Sequence, residues 1–493
     1  MLNQIAGSLT LLGAGFCLYF ALKFYKRNEY KKVLYLIFIL SLILRLYGAS
    51  DLFLYEWDER YHALVAKNLI NHPFVPTLYD KPVLNYNYKN WCGNHIWLHK
   101  PPVSLWLLAF SMKIFGINEI ALRLPSIILS AIVIFFIFFI GRSVFNEKVG
   151  ILACFFWAIN GFLIALAGGK IAADHVDTIF IFFIASGIFL SFYYLNKRSV
   201  LVLLSVGTVT GLAVLTKWLT GLLIIPIFFI LLLSKDKFKN AVLKSLVAFV
   251  VSLIIFLPWQ LYIHKTFPQE AAWEHSYNNR HIFEAIDGHS GTVFFHLARM
   301  PRYFGELIYL PLIFFFYQLK KRKSDLKMLA VSVWFILPYL FFSLVATKGA
   351  SYVMISSPAV FLILAYFCWY LIDNLSLFKN KKLIIALIIL LVLLPVRYSL
   401  ERMKPFKNYD KNPDWAKELR ALNYSIEDKN SVLFNVKQPI DAMFYTSFTA
   451  YSFVPTKRQI KLVHEKGYKV VILKGHGRLP AYIKNDKSVI IVK

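Results

Sequence analysis

Residues 124–145 read LPSIILSAIVIFFIFFIGRSVF, and Arg142 is the one charged residue among them. About 20 apolar residues cross a bilayer once as a helix, so this run is long enough to span. No polar stripe divides it, as expected of a helix surrounded by lipid and other helices. Reading outward, similar runs fall at roughly 5–24, 33–49, 149–167, 178–195, 201–216, 218–233, 246–263, 304–319, 328–346, 352–372 and 383–395. Together they predict a mainly α, polytopic transmembrane fold of about twelve spans.

The composition agrees. Of 493 residues, 58% are hydrophobic and 17% charged, against about 45–50% and about 25% in soluble domains. That excludes a soluble enzyme and a single-span receptor. The net charge of +28 suggests a nucleic-acid binder until the charges are located. The loops 23–32, 142–148, 197–198, 235–244, 320–327 and 373–382 hold 21 basic and 5 acidic residues. Basic loops stay on the cytoplasmic side, which sets the N-terminus outside. The tail from residue 404 holds 17 basic and 8 acidic residues, and the remainder is nearly balanced at 17 and 14. The excess charge therefore orients the chain in a membrane, and no nucleic-acid partner is expected.

This topology places loops 50–102 and 265–303 outside, with the tail. Residues 103–116 are apolar but short and carry Lys113. As a span they would invert every later loop, so they predict an interfacial or re-entrant helix. The expected organisation is a membrane domain over 1–403 and a small extracytoplasmic α/β domain over 404–493. Strands are expected at 431–436, 469–473 and 488–492, and a helix at 456–466. Cys17, Cys154 and Cys368 lie in apolar runs and only Cys92 in a polar loop, so no disulfide framework is legible. The first apolar run is followed, not preceded, by Lys23, Lys26 and Arg27, unlike a cleavable signal.

Ionisable residues near spans are costly and mark function by default. Asp58 and Glu59 follow a span in Trp-Asp-Glu-Arg-Tyr-His (57–62); two acids there suit a general base or a cation site, or merely an interfacial anchor. Lys100 precedes Pro101 and Pro102. The prolines fix the chain and would hold the ammonium where a phosphate can meet it, unless it simply snorkels. Asp174 and Asp177 are three apart in a short outer turn after Lys170 and would share a helix face. Glu274, His275, Arg280, His281 and His289 populate the second loop without a compact zinc spacing. Lys217 and Lys348, at outer span ends, complete with Lys100 and Arg280 a cationic collar suited to an anionic headgroup.

In order along the chain stand Asp-Glu (58–59), His-Lys-Pro-Pro-x-x-x-Trp (99–106), Arg-Leu-Pro-Ser (123–126), Gly-Arg-x-x-Phe (141–145), an Asp opening a span, Leu-Thr-Lys (215–217), Glu-His…Arg…Gly-His (274–289) and Lys…Tyr…Pro (348–358). Over about residues 51–360 this resembles the polytopic GT-C glycosyltransferases related to lipid A aminoarabinose transferases and protein O-mannosyltransferases. The resemblance implies transfer of a sugar from a polyprenyl-phosphate carrier to a glycolipid, glycan or protein acceptor at the outer face of a bacterial inner membrane. It places the catalytic base on Asp58 with Glu59 beside it, and the second acid on Asp177 with Asp174 as rival. Lys100 becomes the lipid-phosphate contact and Arg280 a second one; Lys217 and Lys348 join the phosphate-binding set. No cofactor is required, although His99 and His289 resemble a structural metal pair, such as zinc, in some relatives. With a phosphate leaving group, a base on the acceptor and fixed cations suffice, and in-line attack implies inversion. One departure is Trp218, where the family's Leu-Thr-Lys is followed by glycine. A multispan transporter is the rival class, but no internal repeat of the transporter kind is present.

Overall fold

A computed structural model of the chain describes residues 2–172, 174–322, 325–474 and 479–492. Lys323, of the basic 320–323 block, lies outside them. The chain divides into two compact units.

The first unit comprises Met1–Ser50, Pro125–Lys265 and His275–Tyr409. Among the described residues, eight helical segments are long and apolar enough to cross a membrane, or nine with one bent pair. The longest uninterrupted helix is Phe238–Thr266. Three features explain the distance from about twelve. Helix Tyr30–Gly48 has 19 residues but carries Lys31, Lys32 and Arg45. Helix Tyr309–Lys321 has only 13 residues. The runs 201–216 and 218–233 form one apolar stretch, broken at Trp218 into helix Val200–Lys217, a 3-10 turn and helix Ile224–Leu232.

The bent pair is Glu147–Ile159 with Gly161–Ala167, at 56°. Asn160 makes the break: its side-chain oxygen accepts from Leu163 N at 3.0 Å, and its amide donates to Tyr303 O at 2.6 Å. Elsewhere small residues let helices close. A Cβ on Gly207 would stand 2.6 Å from Val251 Cβ, and one on Gly211 2.6 Å from Ile255 Cβ, so this i, i+4 pair permits the crossing with helix Phe238–Thr266. Arg45 is fully buried within its helix. Its guanidinium donates to Ser41 Oγ, Ser130 Oγ and the carbonyls of Trp157 and Ala158, so neutral acceptors on neighbouring helices satisfy an intramembrane cation.

The second unit comprises Asp51–Leu124, Thr266–Glu274 and Asp410–Lys493. Helix Pro102–Phe115 has 14 residues, about 21 Å at 1.5 Å per residue, against a hydrocarbon core of about 30 Å. The tail supplies a parallel sheet of β1 (Ser431–Phe434), β2 (Thr449–Ala450), β3 (Lys469–Leu473) and β4 (Val489–Val492), in the order β2-β1-β3-β4. Three strands fall where the sequence places them. β2, of two residues, is too short to leave a pattern. Helix Lys457–Glu465 begins at a capping box between Thr456 and Gln459, the S/T-x-x-E/Q start signal.

The core of this sheet is not built from the tail alone. Val83 and Leu84, from the first long loop, pack with Val432, Phe434, Ile460, Val463, Val470 and Ile472. Hydrogen bonds stitch the same loop down: Tyr79 Oη donates to Ala450 O at 3.2 Å, Leu84 N to Tyr451 Oη at 3.1 Å and Lys466 Nζ to Val83 O at 2.5 Å. Helix Asp58–Leu69 grips the short helix Pro439–Tyr445 at both ends. Arg60 Nε lies 3.3 Å from Asp441 Oδ2. Lys67 Nζ donates to the carbonyls of Met443, Phe444 and Thr446 at 2.5–3.0 Å, placing a cation at the negative end of the helix.

Candidate active site

In the second unit, the Asp58–Glu59 motif opens helix Asp58–Leu69 directly after Trp57, whose φ is +70°. A non-glycine residue there is strained by roughly 1–3 kcal/mol, and such strain concentrates at functional sites. The two acids part company. Glu59 is buried and forms a two-pronged ion pair with Arg123, Nε to Oε1 at 2.8 Å and Nη2 to Oε2 at 3.0 Å; it also accepts from Tyr55 N at 2.6 Å. Arg123 in turn donates to the carbonyls of Asp51 and Phe53. Glu59 is thus a clamp that fixes the motif's backbone. Asp58 is half-buried and stays near solvent.

The lysine-diproline motif lies in the same unit. Pro102 opens helix Pro102–Phe115, and Lys100 stands just before its start. Lys100 is partly exposed and forms no hydrogen bond or ion pair among the described residues. His99 beside it is buried, stacks on Trp91 at 4.6 Å and meets Trp97 edge-on. Its Nδ1 lies 2.8 Å from Glu274 Oε1, so a residue of the second loop enters the cluster. Burial holds the His99 pKa below its ordinary value and Lys100 pushes the same way, while Glu274 and then Asp58 oppose them.

In the first unit, Asp174, His175 and Asp177 are buried in the first turn of helix Asp174–Lys197, and Asp174 has φ +29°. Ser126 has one hydroxyl proton, donated to Ala167 O at 2.7 Å; His175 Nδ1, 3.0 Å from Ser126 Oγ, is therefore the donor in that contact. Asp177 Oδ1 is paired with Lys217 Nζ, which also lies 4.8 Å from the Tyr352 ring. Asp177 Oδ2 is buried without a hydrogen-bond partner among the described residues. A buried acceptor left open costs about 1–3 kcal/mol and suits a site that receives a donor. Trp218, the departure from glycine, adopts φ +57°, the left-handed region that glycine enters without steric cost.

The remaining expected cations have other work. Lys348 is buried, and its ammonium donates to the carbonyls of Phe342, Ser343 and Val345, closing the end of helix Leu326–Leu344. Arg280, in helix Pro268–Phe283, is paired at 2.7 Å with Glu284 just past the helix end, both exposed. His289 is exposed. Its carbonyl accepts from Lys348 N at 2.9 Å, while Thr347 ties the same loop through His281, Glu284 and Ile286. Among the described residues no group of three or more His, Cys, Asp or Glu side chains could hold a metal ion.

Sequence reasoning missed two of these partners. Glu274 stands in the Glu-His…Arg…Gly-His motif, but its partner His99 lies 175 positions away and leaves no local mark. Arg123 stood in a quoted motif, but nothing local announces that it neutralises Glu59.

Residues 99–262 match a family described as dolichyl-phosphate-mannose-protein mannosyltransferase. An undecaprenyl phosphate-alpha-4-amino-4-deoxy-L-arabinose arabinosyl transferase of Pseudomonas fluorescens (strain Pf0-1) is 25% identical over 54% of this chain and 48% of its own length. The chain thus spans about half the length of that relative. Among solved structures, ArnT from Cupriavidus metallidurans bound to undecaprenyl phosphate superposes with a TM-score of 0.58 at 15% identity, covering 87% of each chain. The oligosaccharyltransferase AglB from Archaeoglobus fulgidus, in complex with an inhibitory peptide and a dolichol-phosphate, gives 0.61 at 16% identity, covering 90% of this chain and 69% of that one.

Proposed function

We propose that this multi-pass membrane protein, a GT-C relative of the aminoarabinose transferases and oligosaccharyltransferases, transfers a sugar from a polyprenyl-phosphate donor to an acceptor. The acceptor is a glycolipid, glycan or protein at the outer face of a bacterial inner membrane. The charge asymmetry of the loops supports that orientation, which sets both long loops and the 404–493 domain outside.

One observation carries the assignment of roles: Glu59 is buried against Arg123, whereas Asp58 keeps part of its surface exposed. In the proposed reaction Asp58 takes the proton of the acceptor nucleophile. The nucleophile attacks the anomeric carbon from the face opposite the phosphate, and the C–O bond to the phosphate breaks with inversion. The lipid monophosphate leaves as an anion, and Lys100 meets its developing charge. Asp177, held by Lys217, is the second acid, with one oxygen open to a donor hydroxyl. Asp174 opens the same helix and positions that turn. Lys348 directs its donors to three carbonyls, whereas Arg280 and Lys217 each keep N–H donors beyond their carboxylate partners and remain secondary phosphate contacts beside Lys100.

The test is transfer from a polyprenyl-phosphate sugar by purified protein in liposomes. Asp58→Asn should lose transfer while its membrane extraction and thermal unfolding match the wild type. Survival of activity in that variant would remove Asp58 as the base.

A further inference from the structure

Within the second unit, the first long loop and the tail enclose a cleft of about 640 Å³, inside the roughly 300–1,000 Å³ range of small-molecule sites. Its lining has a definite chemistry. Tyr86 and Phe453 present rings that are each 42% exposed. Asn87, Asn90 and Gln459 present amides, and Arg458 a guanidinium. The rings are backed by a stack in which Tyr79 and Tyr451 lie 5.4 Å apart at 18°.

The amides are held, not loose. Asn87 Oδ1 accepts from Lys89 N at 3.0 Å and Asn90 Oδ1 from Cys92 N at 3.2 Å. Gln459 Oε1 accepts from Thr456 N at 2.8 Å. In each case the oxygen is engaged by backbone and the NH₂ group remains to donate. Arg458 is exposed and forms no ion pair or hydrogen bond among the described residues. Fixed amide donors match the hydroxyl oxygens of a polyol, exposed rings match the apolar C–H face of a pyranose, and a free guanidinium matches a carboxylate or phosphate substituent.

We propose that this cleft binds an acidic glycan, and that the glycan is the acceptor or the part of the acceptor that docks it. The acceptor role rests on the transferase reading above; glycan binding does not. The test uses the full chain in detergent and two probes: fluorescently labelled oligosaccharides released from the producing cell's own envelope, and peptides from a digest of the same envelope. Wild type should retain oligosaccharides, and Tyr86→Ala and Arg458→Gln should each weaken retention by at least roughly tenfold. Both side chains are solvent-exposed, and matched thermal unfolding would verify that the variants fold.

No retention of oligosaccharides, retention indifferent to both variants, or cleft-dependent retention of peptides instead would each overturn the proposal. The two readings separate cleanly. Glycan binding without any sugar transfer would sink the transferase and leave the cleft. Transfer with no glycan held in the cleft would do the reverse.

Discussion

Neighbouring acids 58 and 59 are chemically near-equivalent in sequence and opposite in structure. Glu59 is sealed against Arg123, so Glu59→Ala would strand a buried guanidinium, a loss of about 3–5 kcal/mol. That variant should unfold at markedly lower temperature by fluorescence-detected melting, whereas Asp58→Asn should melt as wild type and fail only in catalysis. Asp441 behaves as neither. It is fully buried, with neither carboxylate oxygen hydrogen-bonded among the described residues. Burial raises its pKa to about 7, partly opposed by Arg60. A carboxyl whose folded pKa exceeds its unfolded value, about 3.9, binds its proton more tightly when folded. Stability from that proton is full below about pH 4 and falls as pH rises to about 7. The melting temperature of the wild type should decline across that window more than that of Asp441→Asn; parallel profiles would show that Asp441 does not titrate there. The motifs that name Asp58, Lys100 and Asp177 could be read from the chain because each sits beside a local marker: a second acid, a proline pair, a span start. Glu274, Arg123 and Asp441 act through distant partners, and no local pattern carries that information.

Helices were legible in proportion to their length and apolarity. The long runs announce themselves because lipid demands about 20 apolar residues in a row, and most boundaries fall close to those runs. The break at Asn160 leaves no mark inside the run 149–167, yet it bends the helix by 56°; the break at 217–218 is visible in sequence as a gap between two spans, but in the structure it interrupts one apolar stretch. Trp218→Gly should relieve roughly 1–3 kcal/mol of backbone strain, offset by the freedom glycine gains in the unfolded chain. The variant should therefore express and melt close to wild type. Gly211→Leu should behave oppositely, since even its Cβ would press on Ile255; the expected result is a large drop in extractable folded protein, measured by size-exclusion chromatography. Equal yields would mean that the helices can separate without cost.

For the molecule as a whole, the composition fixed a membrane protein, and the tail's change in character marked a second kind of structure. What composition could not show is that the tail is incomplete without the first loop. Val83 and Leu84 are part of its core, and Lys67 closes one of its helices. Removal of residues 413–493 should consequently expose the first loop to proteolysis between about 71 and 99, and lost activity in that variant would follow from the loop's collapse. A protected loop in the truncated protein would contradict this. The same packing constrains inheritance. A tail exchanged between relatives arrives without the two side chains that fill its centre and without the ammonium that ends its helix. Recombination would then preserve function only when the segments Asp51–Leu124 and Asp410–Lys493 travel together, so the heritable module is a discontinuous one, assembled from sequence separated by the greater part of the membrane helices.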